Sequence, residues 1–201
     1  MAIFQGARAC ALLRFPDAKR IDAALSSIRS LFNQTNQERQ PVDISEIIRE
    51  VLTSVRHELE DHEITSLPEL ASELPLVEGD RAQLQQVMLN LVHNAIEAMR
   101  ATTGRNRVLR ISTERTERAI AVVVRDTGEG IDANLLDNIF EPFITTKVRG
   151  MGLGLAICRT IVEHHGGQIS VVSNSGGAQF HVVLPIRSTE NRTERGEGLR
   201  T

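Results

Sequence analysis

Two pairs of short β-forming runs, each pair joined by a turn, constrain this chain more than any other feature. Residues 108–113 (VLRIST) and 119–125 (AIAVVVR) flank the charged turn Glu114–Arg118. Residues 168–173 and 178–184 flank a second turn, Asn174–Gly177. Both patterns read as β-hairpins. A hairpin joins antiparallel neighbours, so an all-parallel βαβ dinucleotide fold is excluded. Helical patterns lie between and before the hairpins, and the combination implies an α+β fold, a two-layer α/β sandwich with helices on one face of the sheet.

The helices are marked by their apolar spacing and by their starts. Asp43 with Glu46 has capping-box spacing, and Val42 with Ile47 suits a hydrophobic staple. The helix they open places Ile44, Ile47, Ile48, Val51, Leu52, Val55 and Leu59 on one face. Residues 63–67 suit a short strand, with a Pro-containing loop from Leu67 to Gly79. Asp80 with Gln83 repeats the box and opens the strongest helix, whose buried face is Leu84, Val87, Met88, Leu91, Val92, Ala95 and Met99. Residues 126–152 read as loop. A helix from about Leu153 to His165 stops at Gly166-Gly167. Before all this, Ile21, Ala24, Leu25, Ile28, Leu31 and Phe32 form one helical stripe, either a packing face or a dimer or hairpin contact. Residues 34–40, ending in Pro41, read as a linker, and the polar tail 187–201 as disordered.

Composition removes several function classes. Lys and Arg number 23 against 26 Asp and Glu, which gives no electrostatic case for a nucleic-acid or anionic-membrane surface. No run has the ~18 apolar residues of a membrane span, and residues 1–13 are too weak for a secretory signal. With no Trp or Tyr and 6 Phe, aromatic stacking on bases is a poor hypothesis. Cys10 and Cys158 form neither a metal motif nor a disulfide framework, as expected in a reducing cytoplasm. Nine of the 14 glycines lie between Gly128 and Gly177, which is where the chemistry should be sought.

Three local patterns carry that chemistry. Asn90, Asn94 and Glu97 sit at i, i+4 and i+7, a polar stripe beside the apolar face of the long helix. The stripe is either a solvated helix edge or an amide oxygen offered to a hard cation such as Mg²⁺. Residues 119–125 end at Asp126-Thr127-Gly128-Glu129-Gly130, a carboxylate beside unobstructed backbone, suited to a flat heterocycle with an amino donor but also ordinary as a turn. Gly150-Met151-Gly152-Leu153-Gly154 opens a helix, where free N–H groups and the helix dipole favour an anion.

In order, the boxes run Asn helix, Asp-x-Gly-x-Gly, Phe140-Glu141-Pro142-Phe143-Ile144-Thr145-Thr146-Lys147, and the Gly-x-Gly-x-Gly helix. Over about Val42 to Ile186 this order resembles the ATP-binding catalytic domain of bacterial two-component sensor histidine kinases. That domain shares the Bergerat fold with DNA gyrase, heat-shock chaperones and mismatch-repair ATPases. The resemblance implies a mixed, largely antiparallel sheet covered by helices, with ATP and Mg²⁺ as cofactors. It further implies that Asn94 coordinates Mg²⁺ with Asn90 in support, and that Asp126 reads the adenine amine. Gly128 and Gly130 would shape the pocket floor, and Ile131 would pack on the base. Phe140 and Phe143 resemble the hinge of a lid, with Thr146 beside it and Lys147 reaching the phosphates. Gly150, Gly152 and Gly154, interleaved with Leu153 and Leu155, resemble the phosphate-facing box.

One position bears on reaction class. The superfamily's hydrolases carry a Glu one turn before the Mg²⁺-binding Asn as general base, and here that position is Asn90. The resemblance thus implies transfer of the γ-phosphoryl to a histidine rather than to water, with Lys147 and Asn94 as catalytic groups. Residues 1–40 resemble a remnant of the dimerisation hairpin, 42–186 the catalytic domain. No acceptor-histidine box is expected within these residues, and His57-Glu58-Leu59 is expected on the domain's own first helix. The acceptor is therefore expected on another chain or on a missing segment. A response regulator would follow it, with possible homodimerisation through the N-terminal helix, in the cytoplasm and with no nucleic acid or membrane segment. His62, His93, His164, His165 and His181 are expected at the surface or in a C-terminal turn. Ala178 departs from the Thr that many relatives place in the adenine pocket. The alternatives are an ATP-binding interaction module without phosphotransfer, and an anti-sigma-type serine kinase.

Overall fold

Alternation of side chains along three strands builds the floor of the molecule. A computed structural model describes residues 39–100, 102–145 and 151–186. Within them, β4 (Arg107–Arg115), β5 (Ala119–Arg125) and β7 (Gly177–Pro185) each bury every second residue. Their registers place Ile111 opposite Val124, Val122 opposite Val182 and Ile120 opposite Leu184, so one face of the sheet is continuously apolar. With β2 (Ile64–Glu69) and β6 (Gln168–Asn174), they form a five-stranded sheet ordered β2-β4-β5-β7-β6. Only β2–β4 is parallel; the other three pairings are antiparallel. Both expected hairpins are present, and the mixed, largely antiparallel α+β sandwich is as the sequence implies.

Three helices pack on the apolar face. These are α1 (Ile44–Ser54), α3 (Arg81–Arg100) and α5 (Gly154–His164), each with one buried stripe. The stripes meet in a single core with the sheet, which includes Ile47, Leu84, Leu91, Ile96, Ile157 and Val162, all at most 1% exposed. Fully burying side chains of this size contributes about 1.5–3 kcal/mol each.

Several local expectations need correction. The helix expected from Ile44 to Leu59 is broken at Val55 into α1 and α2 (Arg56–Asp61). Thr53 Oγ1 and Ser54 Oγ donate back to Arg49 O and Val51 O, and such local bonds compete with a regular helix. Pro41 does not close a linker: β1 (Gln40–Val42) pairs antiparallel with β3 (Val77–Gly79), inside the segment expected as loop. Strand β2 extends through Pro68 to Glu69, which an edge position tolerates because the missing N–H faces away from its one neighbour. The 126–152 loop contains a short helix, α4 (Ala133–Leu136), capped by Asp132. The two capping boxes form by halves. Asp43 accepts from Ser45 and Glu46 N–H, and Asp80 from Ala82 and Gln83 N–H. The Glu46 carboxylate instead pairs with Arg81, and the Asp80 N–H donates to His165 Nε2 at 3.0 Å. His165 stands at the C-cap of α5, as one of the two expected placements has it, and is buried there, 3% exposed. The N-terminal stripe and the 187–201 tail lie outside the described residues.

Candidate functional site

Strand β5 delivers Asp126 to the end of the sheet, where it is 2% exposed. Oδ1 accepts from Gly128 N–H at 2.8 Å and Ala178 N–H at 3.3 Å. Among the described residues, both protein donors reach Oδ1, so Oδ2 is left for an incoming N–H. Burial pushes the carboxyl above its ordinary range, and the two backbone N–H groups work against that shift. The Asp126 backbone itself donates to Ala178 O at 3.0 Å.

The glycines around Asp126 are there because nothing larger fits. A Cβ on Gly177, at φ +127°, would lie 2.0 Å from Asp126 O. On Gly128 it would lie 2.8 Å from Ala98 Cβ, so the loop rests against α3 one turn beyond Asn94. On Gly130, at φ +81°, it would lie 2.0 Å from Asn174 O. Ile131, half-buried against the core, donates its N–H to Ser173 Oγ at 2.8 Å. Thr127 Oγ1 accepts from Val108 N–H and donates to Asn106 O, fixing the loop from the other side.

The second wall is the seam between α3 and α5. Asn90 and Asn94 are both half-buried on α3. Asn90 is turned inward: Oδ1 accepts from Gln86 Nε2 at 2.7 Å, and Nδ2 donates to Gly154 O at 3.3 Å and Cys158 Sγ at 3.7 Å. It is therefore a tie between the Asn helix and the first residue of α5. Cys158 is fully buried there, and burial pushes its thiol up to about 12, which leaves it inert. Leu153, at the N-cap of α5, makes no side-chain bond to the helix start, so among the described residues its first N–H groups keep their capacity for an anion. A Cβ on Gly154 meets no described heavy atom within 4 Å. Leu153 and Leu155 pack partly buried against the core and hold that first turn in place.

The two phenylalanines expected at a lid hinge differ. Phe140 sits edge-on against Phe180, ring centroids 6.5 Å apart. Phe143 is 75% exposed at φ +69°, and its N–H donates to Gly152 O at 2.9 Å. Gly152, at φ +65°, passes so close to Phe143 that a Cβ would lie 2.6 Å from its carbonyl carbon. Thr146, Lys147 and Gly150 lie outside the described residues.

The structure thus links Asp126, Gly128, α3 and Gly154 into one continuous wall. Gly177 and the Ala178 N–H are partners of Asp126 that local sequence does not announce, because Asn174–Gly177 is sufficiently explained as a turn. The same holds of Gln86 and Cys158 as partners of Asn90, although Gln86 stands four residues before it on the same helical face. Among the described residues no group of three or more His, Cys, Asp or Glu could hold a metal. An amide oxygen together with phosphate and water oxygens fits what Mg²⁺ accepts, and Asn94 stands half-buried on α3 one turn beyond Asn90. No helix among the described residues is long and apolar enough to cross a membrane.

Comparisons with known proteins agree with this geometry. The model of the histidine kinase-, DNA gyrase B-, and HSP90-like ATPase family matches residues 79–188. The sensor histidine kinase ZraS of Escherichia coli K12 is 36% identical over 174 residues, covering 86% of this chain and 37% of that protein. The sensor protein FixL of Bradyrhizobium diazoefficiens is 47% identical over 111 residues, covering 55% of this chain and 22% of that protein. This chain therefore spans well under half the length of these relatives. Among solved structures, the nucleotide-free catalytic domain of histidine kinase ThkA aligns with a TM-score of 0.66 at 37% identity, covering 74% of this chain and 98% of that one. ThkA in complex with the response regulator TrrA aligns with a TM-score of 0.69 at 30% identity, covering 89% and 52%.

Proposed function

This chain belongs to the histidine kinase-, DNA gyrase B-, and HSP90-like ATPase family, and on that premise we propose that it binds Mg-ATP and presents the γ-phosphoryl group to a histidine in two-component signalling. The observation that carries the reading is the Asp126 carboxylate. It is buried at the end of β5, and its Oδ1 is saturated by two backbone N–H groups. Oδ2 then accepts the exocyclic amine of adenine, and Ile131 supplies an aliphatic surface for the base. The glycines beside Asp126 keep side chains out of the base pocket.

At the other end, the α5 N-terminus and the position beside Gly154, clear of described atoms, receive the phosphates. Asn94 would hold Mg²⁺ through its amide oxygen, and the bound ion supplies charge neutralisation on the phosphates. Lys147 and Thr146 are proposed to complete that end, as the family resemblance implies. An amide cannot take a proton from water, and the Asn90 amide is already committed to Gln86, Gly154 and Cys158. The site thus lacks a base where the family's hydrolases place one, which supports transfer to an external nucleophile over hydrolysis. Catalysis then rests on positioning and charge complementarity.

We assign residues 1–40 as part of the dimerisation hairpin, with the acceptor histidine and the response regulator as partners outside the catalytic domain, in the cytoplasm. The test is a transfer assay with γ-labelled ATP, Mg²⁺ and an acceptor hairpin of the ZraS type. Acid-labile, base-stable label on the hairpin, lost with Asp126→Asn, is the expected result. Nucleotide binding without transfer to any hairpin would instead identify an interaction module, and acid-stable phosphoserine would identify a serine kinase.

A further inference from the structure

Helices α3 and α5 run antiparallel, and polar ties join them at both ends of their contact. At the nucleotide end Asn90 binds Gly154; midway, Cys158 Sγ donates to Val87 O; at the far end His165 binds Asp80. The far tie is the more demanding in chemistry. His165 Nδ1 lies 2.7 Å from Ile161 O, and a carbonyl only accepts, so Nδ1 carries the proton. Nε2 lies 3.0 Å from the Asp80 N–H, a donor, so Nε2 must be the bare nitrogen. The arrangement admits one species, the neutral imidazole protonated on Nδ1. The ring also lies directly over Gly79, where a Cβ would meet His165 Cδ2 at 2.6 Å.

Asp80 is the residue whose carboxylate caps α3, so the ring grips the start of the helix that carries both asparagines. Gly79 pairs with Gln40, and Arg39 donates to His164 O, which brings the strand leading into the domain onto the same joint. We propose that His165 is a positioning residue for the nucleotide site, setting the register of the glycine-box helix against the asparagine helix from their far ends. This rests on the ATP reading given above.

Protonation of His165 sets N–H against N–H at Asp80. The charged groups around the ring are Asp80 from the start of α3, Arg39 from the incoming strand and His164 from α5 itself. Burial is the largest influence and lowers the affinity of His165 for a proton; Arg39 and His164 act in the same direction, while the Ile161 carbonyl and Asp80 oppose them.

Two measurements on the 201-residue chain decide the matter. Long-range proton–nitrogen correlation of labelled histidine should show His165 as the Nδ1–H tautomer, still neutral at a pH where a free imidazole is protonated. An Nε2–H tautomer, or titration like a free imidazole, overturns the proposed tie even if the chain binds no nucleotide. Calorimetry with Mg-ATP at neutral pH should show a roughly five- to tenfold loss of affinity for His165→Phe, the scale of one buried hydrogen bond, with a normal melting transition. His165→Gln, which keeps an acceptor for the Asp80 N–H, should stay within about twofold. If His165→Phe does not fold, the Gln variant still decides. As the pH falls through the point at which the correlation spectra show His165 taking up a proton, the unmodified chain should lose more affinity than His165→Gln, and profiles that superimpose through that point overturn the proposal. Absence of Mg-ATP binding by the unmodified chain would refute the nucleotide reading, separately from the tautomer result.

Discussion

The glycines beside Asp126 and Gly154 at the start of α5 sit in opposite surroundings. Around Asp126 the backbone is packed so tightly that Gly128, Gly130 and Gly177 each stand 2.0–2.8 Å from where a Cβ would collide. Around Gly154 the same test meets no described atom within 4 Å. Around Asp126, and at Gly152, glycine is required by the protein's own packing; at Gly154 no described atom fills the space that a Cβ would take. The difference separates two uses of one residue type that look identical in sequence. It also matches what the ligand's parts require, since adenine is flat and chemically fixed while a polyphosphate must enter and leave.

The contrast can be broken by substitution. The largest expected effect is at the tight end: Gly177→Ala should cost about 3 kcal/mol or more, because positive φ and a 2.0 Å approach to Asp126 O are lost together. A denaturation midpoint close to that of the unmodified protein would show that this end is not tightly built. Next comes Asp126→Asn, which should weaken Mg-ATP binding by roughly 30- to 100-fold, the loss of a charge-assisted hydrogen bond. The nucleotide-free protein should be no less stable. Burial holds the Asp126 carboxyl above its ordinary range, so the folded chain binds that proton more tightly than the unfolded chain. Stability from this group therefore falls as pH rises from the ordinary carboxylate value through the raised one, and the neutral amide is spared that loss. A lower melting temperature for the variant at pH 7 would contradict this.

Smaller effects are expected at the open end. Asn90→Ala removes the tie from α3 to Gly154, and should lower Mg-ATP affinity by about tenfold. It should also speed thiol labelling of the buried Cys158 under native conditions; unchanged labelling would mean that Asn90 does not hold the seam. Gly154→Ala should be the mildest change. Alanine favours the helix by about 0.5–1 kcal/mol, so the melting temperature should rise slightly while phosphate-dependent affinity falls by only a few fold. A destabilised Gly154→Ala variant would remove the contrast between the two ends.

The parts of the molecule that were legible in sequence are those encoded by neighbours in sequence. The β4–β5 and β6–β7 hairpins, the stripes of α3 and α5, and the placement of Asp126 at the end of a strand all follow from local period and turn chemistry. What was illegible depends on distant partners. His165 reads as a residue for a helix C-terminus, and only its bond to Asp80, 85 residues away, makes it buried. Asn90 reads as half of a polar stripe, but Gly154, 64 residues on, turns its amide inward. Pro41 and Pro68 suggest linker and loop, yet each lies in a strand whose pairing needs only the opposite edge. The break at Val55 follows from two hydroxyls competing for carbonyls, a signal present in the sequence but outweighed by the apolar period.

The central claim is that Asp126 Oδ2 reads the amino group of adenine, and base selectivity tests it most directly. Inosine triphosphate keeps the phosphates and sugar but presents a carbonyl where adenine has its amine. Competitive titration should show ATP binding at least tenfold tighter than the inosine nucleotide to the unmodified chain, with most of that preference lost in Asp126→Asn. Equal affinity for the two nucleotides in the unmodified chain, or a preference that survives in Asp126→Asn, would contradict the assignment.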